Sequence, residues 1–260
     1  MNKGVNLRFA IHNILYEIYS KNTKLDSKYI KKKISIFDKQ DRAFIINVCL
    51  NTMRYCLHVK KIKEKFIKKN SKINEEILFL SSITQLVFLN FKDYAVVNSS
   101  VEIAKKLNIY HGFVNATLKK ISKQKDVLKK IKIDFDDLPI WFINKTKNFT
   151  NNQKINFLRE FSNEPNLHLV FKKKEDLLKF NHKIKVTSEI SCFLNEKILV
   201  ENLSFYKEGI WWVQDFSSFF PLYSISNNLL NGNNIDLCSA PGGKSFQVLS
   251  KDKKINLNEI

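Results

Sequence analysis

A chain of 260 residues, 44% apolar, has room and hydrophobic material for one or two ordinary domains, with or without a third small one. Its formal net charge of +19 favours nucleic acid or another anionic surface, although only four of its 44 basic residues are arginine and AT-rich codons also yield Lys, Asn and Ile together. Cys49, Cys56, Cys192 and Cys238 lack Cys-x-x-Cys spacing, Met1 to Gly4 opens no secretory signal, and no apolar run reaches the roughly 18 residues of a membrane span, so the chain is expected to be cytoplasmic, without metal, disulfide or membrane anchor.

From residue 1 to about 125 the apolar spacing is helical. Leu7, Ala10, Ile11, Ile14, Leu15 and Ile18 repeat at three and four. Asp41 opens a longer helix whose period runs through Phe44, Ile45, Val48, Cys49, Thr52, Met53, Cys56 and Leu57 and extends toward Ile62 and Phe66. Cys49 and Cys56 read as small apolar fillers of that face. Further helices carry Ile77 to Leu89, Val96 to Leu107 and Phe113 to Ile121. No segment alternates with period two, so this is an all-helical unit.

Residues 126–205 read as a connector. Asp136-Asp137-Leu138-Pro139 predicts an acidic helix start with proline in the first turn, and a second helix from Gln153 to Phe161 ends before Pro165. Leu167 to Phe171 then predicts a strand. His168 in it is an incidental residue, because no other histidine lies at metal-ligand spacing. The basic stretch from Lys172 to Lys185 could border an RNA groove or form a solvated face.

Residues 206–260 hold the sharpest signal. Trp211 and Trp212 alternate in a strand, so at most one faces the core and the other could stack on an RNA base. Asp215 is expected to cap the helix from Phe216 by accepting from Ser217 or Ser218 N–H. Ile235 and Leu237 predict a short apolar strand, Pro241-Gly242-Gly243 a turn, and Phe246, Val248 and Leu249 a helix packing back on that strand. A helix N-terminus beside such a turn offers N–H groups to a carboxylate or phosphate. The phosphate-loop pattern fails, because its first glycine would fall on Cys238, and the dinucleotide pattern Gly-x-Gly-x-x-Gly is absent.

The decamer Asp236-Leu237-Cys238-Ser239-Ala240-Pro241-Gly242-Gly243-Lys244-Ser245 resembles, nearly position for position, the first motif of the RsmB/Sun (Fmu) family of ribosomal RNA cytosine-5 methyltransferases, Asp-x-Cys-x-Ala-Pro-Gly-Gly-Lys-Thr/Ser. Gly209-Ile210-Trp211-Trp212-Val213-Gln214-Asp215 is similar to the family's Gly-x-x-x-Val-Gln-Asp strand. Lys39 to Ala43, Tyr94 to Asn98 with Val101 and Ala104, and Phe113 to Ala116 with Leu118 and Lys119 resemble its N-terminal NusB-like domain. The Arg and Asn that members usually carry in the first connector strand have no counterpart in Asn166 to Phe171.

The resemblance implies a multidomain α plus α/β chain. Its parts would be a NusB-like RNA-binding domain (1–125), a helix pair with a small α/β connector (126–205) and the beginning of a Rossmann-like methyltransferase domain (206–260). It implies S-adenosyl-L-methionine as cofactor, wrapped at its methionine end by Cys238, Ser239, Ala240, Pro241, Gly242, Gly243 and Lys244. A second parallel strand, Ile255 to Asn258, would end in Glu259, standing where an acid holds the ribose hydroxyls. Ribosomal RNA is the implied partner of a monomer, with Lys3, Arg8, Lys119 and Lys120 as candidate phosphate contacts. In the family a cysteine thiolate adds to cytosine carbon 6 so that carbon 5 becomes nucleophilic. The motifs carrying that cysteine, Asp-Ala-Pro-Cys and Thr-Cys-Ser in type, do not occur here, and Cys238 is a cofactor-loop position. The expectation is a truncated methyltransferase without catalytic residues, inactive alone and weakly ordered over residues 235–260. The alternatives are a non-catalytic NusB-like RNA-binding protein and, more weakly, a nucleotide-phosphate enzyme using Gly243-Lys244-Ser245.

Overall fold

The computed structural model describes residues 2–68, 71–196, 198–230, 232–251 and 256–259. It divides into two compact units, Met1–Asn163 and Glu164–Ile260.

The first unit is helical. α1 (Lys3–Lys21) is capped by the Asn2 side chain, which accepts from Gly4 N–H, and its stripe buries Leu7, Ile11, Ile14 and Leu15. α2 (Lys28–Ile34) has only Ile30 and Ile34 to bury among lysines, too weak a period to be anticipated. α3 (Lys39–Arg54) starts at Asp38, whose carboxylate accepts from Asp41 N–H. The single long helix expected from Asp41 is in fact two: the chain turns at Tyr55 (φ −96°, ψ 12°) into α4 (Cys56–Phe66). Apolar spacing does not register the turn because both sides of it face inward, with Val48, Cys49, Val59 and Ile62 buried.

α5 (Ile73–Ile83) is the axis of the unit. Every residue from Ile77 to Ile83 is buried, as expected of a helix surrounded by others, and it packs against α1, α3 and α4 as well as α6 (Asp93–Lys106) and α7 (His111–Lys123). It runs on into a π-helical turn, Thr84–Phe88. The buried Gln85 of that turn accepts from Arg8 Nε at 2.7 Å and donates to Ser81 O. Arg8 also donates to Gly4 O and is pulled below its ordinary pKa by burial. It therefore ties α1 to the π turn and is not presented to phosphate. Lys3 pairs with Asp41 at 2.9 Å, whereas Lys119 and Lys120 are exposed.

After α8 (Lys125–Leu128), Asp134 and Asp137 clasp Lys61 Nζ at 2.8 and 2.5 Å, joining α4 to a 3-10 turn, Phe135–Asp137. Pro139 occupies the cap of α9 (Ile140–Lys145), one place before the first turn where it was expected. Thr150 and Gln153 form a reciprocal capping box on α10 (Asn151–Phe161), and the rings of Phe135, Phe142 and Phe157 pack together.

The second unit carries the strands. β1 (His168–Phe171), β2 (Ile184–Ser188), β3 (Ser191–Leu194) and β4 (Trp211–Val213) form an antiparallel sheet in the order β2-β3-β1-β4, with α11 (Lys174–Leu178) between β1 and β2. Thus the Trp211–Val213 strand, expected at the start of the cofactor domain, pairs with β1. Leu169, Phe171, Cys192 and Trp211 are in its core. α12 (Phe216–Ser224) is capped as expected, Asp215 accepting from Ser217 N–H at 2.8 Å. β5 (Asn233–Asp236), α13 (Gly243–Lys251) and β6 (Asn256–Glu259) follow, and β5 and β6 pair in parallel with Asp236 opposite Glu259. Ile255, expected in that strand, lies outside the described residues. Among the described residues no helix is long and apolar enough to cross a membrane.

Two outcomes test this packing. Phe79→Ala, which empties a fully buried site on α5, is expected to cost about 3–5 kcal/mol in urea denaturation followed by circular dichroism. Burial pushes the pKa of His12 and of His58 down, so as pH falls through about 6.5 the unfolded chain takes up protons that the folded chain refuses. The stability these histidines allow is full at neutral pH and declines below about pH 6.5. The urea midpoint should drop between pH 7.5 and 5, and less so in His12→Gln.

Candidate functional site

The loop from Leu237 to Gly242 leaves the carboxyl end of β5 and enters α13. One carboxylate staples both its ends: Asp236 Oδ1 accepts from Cys238 N–H at 3.1 Å and Oδ2 from Ser245 Oγ at 2.8 Å. Asp236 belongs to the motif, but its role as the loop's anchor is visible only in the structure. Gly242 N–H donates to Ser239 O, and Gly242 O accepts from Phe246 N–H at 2.8 Å, which starts the helix. Gly242 has φ +102°, a conformation that side chains disfavour, and a Cβ there would meet the Phe246 ring at 3.1 Å. The Ala240–Pro241 peptide is cis.

Cys238, Ala240, Pro241 and Lys244 are exposed, and Ser239, Gly242 and Gly243 are half-buried. These seven predicted residues are thus brought together on one accessible turn. The backbone of Glu259 closes β6 beside Asp236, while its side chain lies outside the described residues. The apolar strand expected beneath the loop differs. Ile235 and Leu237 are 61% and 72% exposed, and α13 packs against α12 instead. The physical reason is that β5 has a strand partner on one edge only among the described residues, leaving little for those side chains to lie on.

What fixes the loop against the rest of the unit is a run of buried amides. Trp212 Nε1 donates to Gln214 Oε1 (2.8 Å), Gln214 Nε2 to Gln247 Oε1 (2.9 Å), and Gln247 Nε2 to Phe219 O (2.9 Å), so β4, α13 and α12 are linked. The Gln214 side chain lies against Gly243, where an added Cβ would stand 3.5 Å from its Cγ. His168, taken from sequence as incidental, is an internal tie. Its Nδ1–H donates to Gln214 O (2.7 Å) and its Nε2 accepts from Thr187 Oγ1 (3.0 Å), while burial lowers its pKa. Burial pushes the thiols of Cys49 and Cys192 up to about 12 and about 11 and that of Cys56 up as well, so none of the three is activated as a thiolate. Among the described residues no group of three His, Cys, Asp or Glu side chains could hold a metal ion.

A helical N-terminal region joined to a smaller strand-bearing region with a glycine loop is the class of chain this defines, and its helical part has known relatives. Residues 6–123 match the NusB family. Beyond that domain, the chain is homologous along most of its length to ribosomal RNA small subunit methyltransferases. It is 25% identical to the probable ribosomal RNA small subunit methyltransferase B of Coxiella burnetii, over 86% of this chain and 58% of that protein. To the ribosomal RNA small subunit methyltransferase B of Proteus mirabilis it is 25% identical, over 100% of this chain and 65% of that protein. The chain therefore spans about three fifths of the length of these relatives. The crystal structure of PH0851 shares the fold with a TM-score of 0.54 at 12% identity, over 100% of this chain and 63% of that one.

Gly242→Ala is expected to destabilise the second unit by about 1–3 kcal/mol, the cost of a strained backbone position, and to displace Phe246. Gly243→Ala, whose Cβ meets Gln214 at ordinary contact distance, should be tolerated. Urea titration read by tryptophan fluorescence distinguishes the two.

Proposed function

We propose that this chain carries the RNA-binding and cofactor-gripping parts of an S-adenosyl-L-methionine-dependent ribosomal RNA cytosine-5 methyltransferase. The observation that carries the reading is the Asp236-stapled loop, set at the carboxyl end of a parallel strand and leading into a helix N-terminus. That is where open α/β sheets hold their ligands. The homology to ribosomal RNA methyltransferases and the NusB-family domain support it.

The residues fit the cofactor. Gly242 presents backbone without a Cβ, and the first N–H groups of α13 lack helical acceptors and suit the carboxylate of the methionine end. Cys238, Ser239, Ala240, Pro241, Gly243 and Lys244 would line the same turn, Lys244 adding positive charge. Glu259, at the end of β6, would take the ribose hydroxyls. The cofactor supplies an electrophilic methyl group for cytosine carbon 5, and this chain's residues bind and orient the donor. We assign the parts as 1–125 (RNA-binding), 126–205 (connector) and 206–260 (beginning of a Rossmann-like methyltransferase domain), in a cytoplasmic monomer. Residues 1–260 include no Asp-Ala-Pro-Cys or Thr-Cys-Ser sequence, so no residue here is assigned to attack carbon 6.

Calorimetry should detect S-adenosylmethionine binding and no ATP binding, with affinity reduced at least about tenfold in Gly242→Ala, as expected when a strained Cβ pressing on Phe246 reshapes the turn. Residues 1–260 alone should transfer no methyl group to ribosomal RNA, and turnover would overturn that assignment. A second reading, a non-catalytic RNA-binding protein, is favoured by the NusB-family domain and the +19 charge. RNA affinity joined to a complete lack of S-adenosylmethionine binding would select it.

A further inference from the structure

A cavity of about 580 Å³ in the second unit is lined by Lys172, Lys173, Trp211, Trp212, Phe246 and Leu249 among its walls, and by no residue of the loop from Cys238 to Lys244. It combines two kinds of surface. One side is aromatic and apolar and open to solvent. Phe246 is 51% exposed, Leu249 is exposed, and the half-buried indole of Trp212 stands edge to face with Phe246 at 6.0 Å. The other side is cationic. Lys172 and Lys173 are exposed, and neither is paired with a carboxylate among the described residues, whereas the next lysine, Lys174, lies 3.7 Å from Glu189.

The indole is also held in advance. Its N–H is already satisfied by Gln214, and Gln214 by Gln247, so the Trp212 ring is fixed by its polar edge without needing a ligand to order it. A half-buried, pre-ordered ring beside two ammonium groups without a carboxylate partner among the described residues suits a ligand with an aromatic plane and a neighbouring phosphate. Base stacking on aromatic side chains with lysines following the backbone is the general physics of single-strand binding.

We propose that this cavity is a nucleotide subsite for single-stranded RNA: one base stacks in the cleft bounded by Trp212 and Phe246, and the adjoining phosphate is met by Lys172 and Lys173. The volume suffices for one nucleotide, and a base held in a duplex has both faces already stacked and none to offer the ring. The subsite is separate from the cofactor loop but touches it twice, since Phe246 lies on Gly242 and Gln214 lies on Gly243. The inference needs RNA as the partner and does not need the cofactor assignment.

The test uses residues 1–260 and three probes: an eight-nucleotide oligouridylate, the same sequence in a duplex, and uridine monophosphate. Each is followed by fluorescence anisotropy or tryptophan quenching over a salt series. Trp212→Ala is expected to lose about five- to a hundredfold in affinity for the single strand, the usual worth of one stacked base, and Trp212→Phe to keep most of it. Lys172→Gln with Lys173→Gln should lower the salt slope by about 0.7, the contribution of the one phosphate no longer neutralised. Leu249→Glu puts a carboxylate on an exposed wall with little risk to folding and should weaken the strand similarly, which covers the case in which Trp212→Ala does not fold. S-adenosylmethionine calorimetry on Leu249→Glu should match the unaltered chain, so a failure of the cofactor reading is seen separately. Equal affinity of all variants for the oligonucleotide would overturn the proposal, as binding would then come from the other lysines. Preference for the duplex would overturn it too, as would a mononucleotide binding as tightly as the strand, which would assign the cavity to a free nucleotide.

Discussion

Two parallel strands of four residues each cannot place themselves. The pair β5–β6 exposes Ile235, and the loop after it exposes Leu237, so the pair contributes little burial to hold its own position. The position of the loop it feeds depends on the buried carboxamides of Gln214 and Gln247, whose bonds run from β4 through α13 to the carbonyl of Phe219 in α12. Buried amides left unpaired are costly, so each partner constrains the next. Removing either would leave a donor and an acceptor unmatched inside the unit and release α13 from β4. The glycine turn, the Trp212 ring and the Phe246 ring all take their places from that one link.

The helical unit is organised by burial. α5 is enclosed by its neighbours, and its polar members Ser81 and Ser82, like Gln85 in the π turn that follows, are each hydrogen-bonded, so a nearly continuous apolar segment needs no solvent face. The consequence for function is subtractive. Arg8, one of only four arginines, is consumed inside by Gln85 and Gly4. Lys3 is engaged by Asp41 and Asp38. Cationic surface able to meet a polyanion therefore comes chiefly from lysines outside these pairings, among them Lys119, Lys120, Lys172 and Lys173.

Helices α1, α3, α6 and α7 were legible because one face of each repeats at three and four, and α5 because its nearly continuous apolar run is longer than a strand. The break at Tyr55 was not, because periodicity reports which residues face inward and not the direction of the axis. The β2–β3 hairpin escaped notice because its turn, Glu189-Ile190, carries neither glycine nor asparagine and β2 is largely solvent-facing. The glycine turn was legible because Gly242 sits at a positive φ that few other residues adopt, although Gly243 already belongs to α13. The anchors around it were not. Asp236, His168, Gln214 and Gln247 act through partners 2 to 46 positions away, and no spacing rule announces such pairs.

The link between Gln214 and Gln247 is made of neutral groups. It carries no net charge for counterions to shield and no proton to exchange across the physiological range. Raising the electrolyte concentration, which strips lysine from phosphate, leaves it untouched. The scaffold beneath the glycine turn is thus insensitive to ionic strength, so that charge pairing at the exposed lysines and the shape of that turn answer to different solution variables.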